Sequence, residues 1–380
     1  EWPRRGHPEF GTWLVGLLRY LGDSAEKVEG DAVYGYLIPL SHSAVGDLAG
    51  KSADELGAFF GGLLGNTNEL MLWVFLVVLI GYLVCAGGVK KGVENSAKFM
   101  MGGLFILLIV LAARAITLPN ASLGLEFYLK PDFSKLSWAG IYAAMSQSFF
   151  TLSLGIGSMA IFGSYISKQR ALAGESVRII GIDTFVALMA GMVIFPTAAS
   201  FGVDPGSGPS LVFITLPNIF NSMAGGQFWA VLFFLLLVFA AMTTVVAVFE
   251  NLTAYAMDQW GWTRKKTVVV EGIAVFLLSI PCVLGFGPWS SFQTLPGVAG
   301  STFIDLWDFI VSYTLLPVGS IVFALFCSHR YGWGWDNFMK EANSGEGLKF
   351  PGGLRFYCAY VLPLIIFVVL IAGYWTLFVG

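Results

Sequence analysis

Phe149-Phe150-Thr151-Leu152-Ser153-Leu154-Gly155-Ile156-Gly157 lies in the middle of an apolar stretch, with two glycines and two hydroxyls where a membrane helix should run uninterrupted. Each glycine costs roughly 1 kcal/mol relative to alanine inside a helix. Backbone released at membrane depth persists only where protein buries it or where it lines a polar cavity. The stretch therefore predicts a broken helix, whose unwound turn offers carbonyls to an ion and a half-helix N-terminus to a carboxylate.

Working outward, the chain around this stretch belongs in lipid. Of its 380 residues 56% are hydrophobic and only 12% charged, against about 25% charged in soluble domains. Repeated apolar runs of about 20 residues predict one helical membrane domain in place of two or three soluble ones. The net charge of -3 gives no reason to expect a nucleic-acid partner. Cys85, Cys282, Cys327 and Cys358 fall in or at the ends of apolar segments without CxxC spacing, so they suggest neither a disulfide framework nor a zinc site. His7, His42 and His329 lie outside the spans. With no buried histidine and no nucleophile–base pair, an intramembrane enzyme is not expected, and neither is an organic cofactor.

Eight spans are predicted, near 70–88, 97–118, 137–166 (the broken one), 176–200, 227–257, 268–287, 303–328 and 356–378. The connections after the first, third, fifth and seventh hold Lys90, Lys91, Lys168, Arg170, Arg178, Arg264, Lys265, Lys266, Arg330, Lys340, Lys349 and Arg355. Those after the second, fourth and sixth hold only Lys130 and Lys135. This asymmetry predicts a multi-pass protein of the cell membrane with the basic loops cytoplasmic, residue 69 starting outside and the C-terminus ending outside. Before residue 69 the best apolar runs, Trp13–Leu18 and Tyr34–Leu40, are too short to cross. The expected division is thus a non-spanning or degenerate N-terminal segment, 1–68, and a helical transmembrane domain, 69–380. In loop 201–226 the run Leu211–Phe220, interrupted by Pro217, reads as an external hairpin, and loop 329–355 reads as interfacial.

Polar residues inside the spans carry the chemistry, because an ionised Asp at a helix centre costs at least about 2.5–3.5 kcal/mol. Asp183 admits two readings, compensation by a bound cation or pairing with Arg178. Thr243 and Thr244 in Ala240-Ala241-Met242-Thr243-Thr244 could supply hydroxyl ligands to a hard cation such as Na+. They could equally bond back to their own helix carbonyls, and spacing by itself favours that reading. Asp308 and Asp258 read as interfacial charges, and Arg114 as a snorkelling side chain. Glu250 and Glu271 are buried candidates with no role beyond pairing or helix contact.

These motifs together resemble the neurotransmitter:sodium symporter family, most closely its bacterial amino-acid transporters. The resemblance runs from about residue 68 to the end and rests on several stretches in order. They are Lys90-Lys91-Gly92-Val93-Glu94, Lys130-Pro131-Asp132-Phe133, the 149–157 stretch, Ile214-Thr215-Leu216-Pro217, Ala224-Gly225-Gly226 and Phe239-Ala240-Ala241-Met242-Thr243-Thr244. It implies an all-α membrane protein with a leucine-transporter-like inverted-repeat bundle, its eight spans equivalent to family spans four to eleven and so incomplete. It implies Na+ at two sites: Thr151 and Asp183 at the first, and the Ala240 carbonyl with Thr243 and Thr244 at the second. It makes Phe150 an aromatic lid and has Ser153, Ile156, Thr244 and Val248 line the substrate pocket. Asp308 matches the outer gate; Asp258 and Tyr165 match the inner one. Ala187 stands where chloride-dependent relatives have Ser, which implies chloride independence.

The implied function is sodium-coupled symport of an amino acid, neutral or apolar, by alternating access, with the amino acid, sodium ions and the bilayer as partners. The chain also departs from the family. Glu1-Trp2 with Arg4-Arg5 only faintly matches the end of the family's second span, and the third span is not recognisable. An incomplete copy is therefore expected, and the rival reading is a transport-inactive binding or regulatory protein on the same fold.

Overall fold

The computed structural model describes residues 32–131, 133–155, 157–202, 211–221, 223–298 and 300–378. Trp13–Leu18 and Ile156 lie outside the described residues, and of Phe150 only the backbone is described. Helices account for nearly all the secondary structure; a single isolated bridge, Arg170 to Glu346, stands in for any sheet among these residues.

Fifteen helices follow in order: α1 Ala32–Val45, α2 Ala53–Gly65, α3 Thr67–Ala86, α4 Asn95–Ile116, α5 Ala121–Leu129, α6 Trp138–Thr151, α7 Ser158–Tyr165 and α8 Leu172–Ser200. Then come α9 Leu216–Asn221, α10 Gly226–Trp260, α11 Arg264–Phe286, α12 Phe303–Asp308, α13 Leu316–Ser328, α14 Trp335–Ala342 and α15 Leu362–Phe378. Among the described residues seven segments are long and apolar enough to cross a membrane: Thr67–Ala86, Val89–Ile116, Leu172–Ser200, Gly226–Trp260, Arg264–Phe286, Phe303–Ser328 and Gly352–Phe378. The eighth expected span is the interrupted pair α6–α7, whose halves of 14 and 8 residues are each too short by themselves.

Local chemistry explains several helix starts. Ser52 accepts from the Glu55 amide at 3.3 Å while Glu55 accepts from the Ser52 amide at 2.8 Å, a reciprocal box that opens α2. Asn66 accepts from the Glu69 amide at the start of α3, and Thr302 with Asp305 opens α12 in the same way as Ser52 with Glu55.

Two cores form. The larger is organised around α10, the 35-residue helix that packs against α1, α3, α4 and α11 and fully buries Phe234, Val246, Glu250 and Thr253. Tyr36 and Ile38 of α1 and Leu56 and Leu63 of α2 lie in this same core, so residues 32–65 pack into the bundle. The Leu211–Phe220 run forms a short element packed on the bundle, with Leu216, Pro217, Ile219 and Phe220 buried. The smaller core holds Phe149 of α6 with Ile366 and Val369 of α15, flanked by Tyr142, Met145, Leu154 and Ile321. The first half of the broken helix thus packs mainly with α13 and α15, apart from the α10 core. On the opposite side of the break, the segment after α7 is zipped to the loop after α14: the Ala171 amide donates to the Glu346 carbonyl at 2.9 Å and the Glu346 amide to Gln169 at 2.8 Å. Trp335, Phe338 and Phe350 close around α14 in an aromatic cluster.

Candidate functional site

Helix α6 ends at Thr151 and α7 starts at Ser158. Between them Ser153 adopts φ 48°, Gly155 φ 91° and Gly157 φ 85°. The two glycines meet this left-handed geometry without steric cost. Ser153 pays about 1–3 kcal/mol for it and holds the position because the surroundings over-determine the turn. Part of that constraint comes from α13. A Cβ on Gly155 would overlap the Leu316 carbonyl, and one on Gly319 would overlap the Gly155 carbonyl, so the unwound turn lies backbone against backbone on α13.

Across the break, the Thr151 hydroxyl donates to the Asp183 carboxylate at 3.1 Å. Asp183 is half-buried, three turns into α8. Arg178 does not reach it: that guanidinium donates to Glu175 at 2.6 Å, and Glu175 is also bridged by Arg170 at 3.3 Å. Of the two readings of Asp183, the arginine pairing is therefore not formed. On α10, Thr243 donates to the Ala240 carbonyl at 2.6 Å and Thr244 to the same oxygen at 3.5 Å. The hydroxyls bond back to their own helix, as spacing suggested, and this gathers three hard oxygens on one half-buried face. Thr244 and Val248 continue that face at intervals of one turn. Ser153 stands in the unwound turn. The oxygens of both groups are hydroxyl, carboxylate and carbonyl, a donor set that suits a hard cation and not a soft metal.

At the other end of α7 the structure departs from simple expectation. Tyr165 donates its hydroxyl to Glu250 at 3.3 Å, whereas Asp258, two turns further along α10, is exposed. Glu250 is fully buried, and Arg264 donates to both its oxygens at 2.8 Å while also donating to the Cys85 carbonyl at 2.8 Å. One latch thus joins α7, α10, α11 and the end of α3. Sequence reasoning named Glu250 without assigning it a partner and counted Arg264 only as a loop charge. The available signal was a Glu within a helix that also carries apolar residues on every side. Asp308 ends α12 where a wide helical turn, Phe309–Leu315, begins, and it is half-buried there. Outside the spans, Tyr128 of α5 stacks on Phe195 and donates to the Leu188 carbonyl of α8 at 3.2 Å; burial pushes its hydroxyl up to about 12, so it remains a donor.

Comparison with known proteins is consistent with this geometry. The sequence profile described as the Sodium:neurotransmitter symporter family matches residues 62–377. The chain is 33% identical over 365 residues to an uncharacterized sodium-dependent transporter of Haemophilus influenzae, covering 94% of this chain and 78% of that one. It is 32% identical over 359 residues to the sodium-dependent transporter YhdH of Bacillus subtilis, with the same two coverages of 94% and 78%. The crystal structure of MhsT in complex with L-phenylalanine matches with a TM-score of 0.79 at 35% identity, over 94% of this chain and 80% of that one.

Proposed function

The chain belongs to the sodium:neurotransmitter symporter family, and we propose that it moves an amino acid with a neutral, apolar side chain across the cell membrane, driven by Na+. Sodium-dependent transport, a leucine-transporter-like helical bundle and a multi-pass membrane chain come with the family; its members are transporters and not enzymes. The choice of substrate rests on two supports. The solved relative MhsT is in complex with L-phenylalanine, and Val248 and Ile156 are apolar where the pocket is expected.

The observation that carries the reading is the Thr151–Asp183 contact beside a helix that is broken. A first Na+ between those oxygens neutralises Asp183 and ties α6 to α8. A second, held by the Ala240 carbonyl and the Thr243 and Thr244 hydroxyls, ties the unwound turn to α10. Phe150 closes over the substrate, while Ser153, Ile156, Thr244 and Val248 shape its pocket. Asp308 gates the outer side; Tyr165 and Asp258 gate the inner side. With residues 69–380 as the transporter domain, the basic loops cytoplasmic and the C-terminus outside, the broken helix with α13 and α15 rocks against the α10 scaffold. Each Na+ crossing 100 mV supplies about 2.3 kcal/mol to this cycle.

The test is uptake of labelled L-phenylalanine into proteoliposomes under an inward Na+ gradient. The Thr243→Ala/Thr244→Ala double variant is expected to lose the Na+ dependence. Equal uptake by variant and parent, or none by the parent for any apolar amino acid, refutes the proposal.

A further inference from the structure

Beyond the sodium and substrate sites, the scaffold contains an acid that the transport reading does not use. Glu271 lies on α11 two turns past Arg264, facing α10 and α3. Its carboxyl accepts from Thr253 Oγ1 at 3.1 Å, and Thr253 is completely buried. The neighbouring Gly272 lies under the Tyr82 ring, which comes within 3.5 Å of the point where a Cβ would stand. Tyr82 is 3% exposed, and its hydroxyl, within electrostatic reach of Glu271, has no hydrogen-bond partner.

The charged groups around Glu271 do not balance it. Glu250 lies one turn before Thr253 on α10, fully buried, and the Arg264 guanidinium is spent on its two oxygens. From α3 come only the Tyr82 hydroxyl and the Cys85 thiol; from α7 comes Tyr165, already bonded to Glu250. Lys265 and Lys266 of α11 are exposed, and Lys266 sits over the Trp262 ring. Among the described residues no Lys, Arg or His pairs with Glu271. Two carboxyls therefore bear on one turn of α10, Glu250 held by the Arg264 guanidinium and Glu271 held only by the Thr253 hydroxyl. A carboxylate left uncompensated at membrane depth is far costlier than its neutral acid, and like charges at this separation disfavour double ionisation.

We propose that Glu271, with Thr253 and Tyr82, is a proton-binding site in the scaffold, and that its proton keeps the Tyr165–Glu250–Arg264 latch closed. A protonated Glu271 places no like charge near Glu250 and leaves the Arg264–Glu250 bonds undisturbed. Losing the proton as pH rises places a second negative charge near Glu250, and repulsion between the two carboxylates loosens the hold on α7. Inner opening is then slowed at acid pH and released toward alkaline pH.

Infrared spectroscopy of the intact protein in lipid vesicles tests the site without requiring transport, so a failure of the substrate assignment leaves this test unaffected. The parent at neutral pH should show a carbonyl-stretch band of a protonated carboxylic acid that disappears in Glu271→Gln. Should Glu271→Gln fold poorly, Thr253→Val serves: removal of its hydrogen bond must shift the band to higher frequency. In Na+-driven uptake, Glu271→Gln, which mimics the neutral acid, should flatten the pH profile at the parent's acid-side rate. No such band in the parent, a band unchanged by either variant, or identical pH profiles for parent and Glu271→Gln overturns the proposal.

Discussion

The carbonyl of Gly155 occupies the space that a side chain on Gly319 would need. The unwound turn therefore owes its position to a seat on α13 as well as to its own glycines. Gly319→Ala overpacks a backbone contact that no side-chain rotation can relieve, a cost of about 1–3 kcal/mol. The half-saturating Na+ concentration should rise about tenfold, read as Na+-dependent binding of labelled L-phenylalanine to the purified protein. An unchanged Na+ titration would show that α13 does not set the turn.

Thr151 donates to Asp183, and among the described residues no arginine pairs with that carboxylate, so both oxygens are open to the proposed Na+. Thr151→Val preserves shape and removes one of them, so Na+ affinity should fall by about tenfold or more. Asp183→Ala should fall further and leave binding largely insensitive to Na+. Because Ala187 stands where chloride-dependent relatives have Ser, replacing chloride by a large organic anion should leave uptake unchanged. Collapse of uptake on chloride removal alone would exclude chloride independence.

In the Glu250–Arg264 pair the carboxylate is fully buried and the guanidinium half-buried, with both partners hydrogen-bonded. Arg264→Ala strands a carboxylate and should destabilise the protein by about 3–5 kcal/mol, while Glu250→Gln combined with Arg264→Met should cost less than the single change. Thermal unfolding of the parent and the two variants in one detergent measures the difference. A double variant no more stable than Arg264→Ala would show that the pair contributes attraction beyond mutual neutralisation.

At the start of α2 the Ser52 amide and hydroxyl both donate to Glu55, and these bonds hold its carboxyl below the usual carboxylate range. A depressed carboxyl stabilises the folded helix fully above its ordinary value, and that contribution is lost as pH falls through the lower, folded value. Hydrogen exchange of the first-turn amides of α2 should accelerate on acidification. Ser52→Ala should show the fast rate at neutral pH and much weaker pH dependence; a parent helix equally protected at all pH values would contradict the linkage.

Much of this was legible in the chain itself. Seven apolar runs and one broken run follow from hydropathy, and the break follows from Gly155 and Gly157, because both depend on the properties of adjacent residues. The candidate cation face of Ala240, Thr243 and Thr244 was visible for the same reason, since helical periodicity alone gathers those positions. The partner of Asp183 was not, and the two readings separated only when Arg178 was found on Glu175. Likewise α1 and α2, too short to span, gave no hint of joining the α10 core.

What the sequence determined by itself was an environment and a pattern: a chain that must live in lipid as helices, with one of them interrupted. Only the tertiary structure decided which charges meet. Tyr165 finds Glu250 from 85 residues away, Thr151 finds Asp183 from 32, and the break leans on Gly319. Such contacts depend on the rotation of each helix about its axis, which is settled by the packing of all its neighbours together and not by any local run of residues.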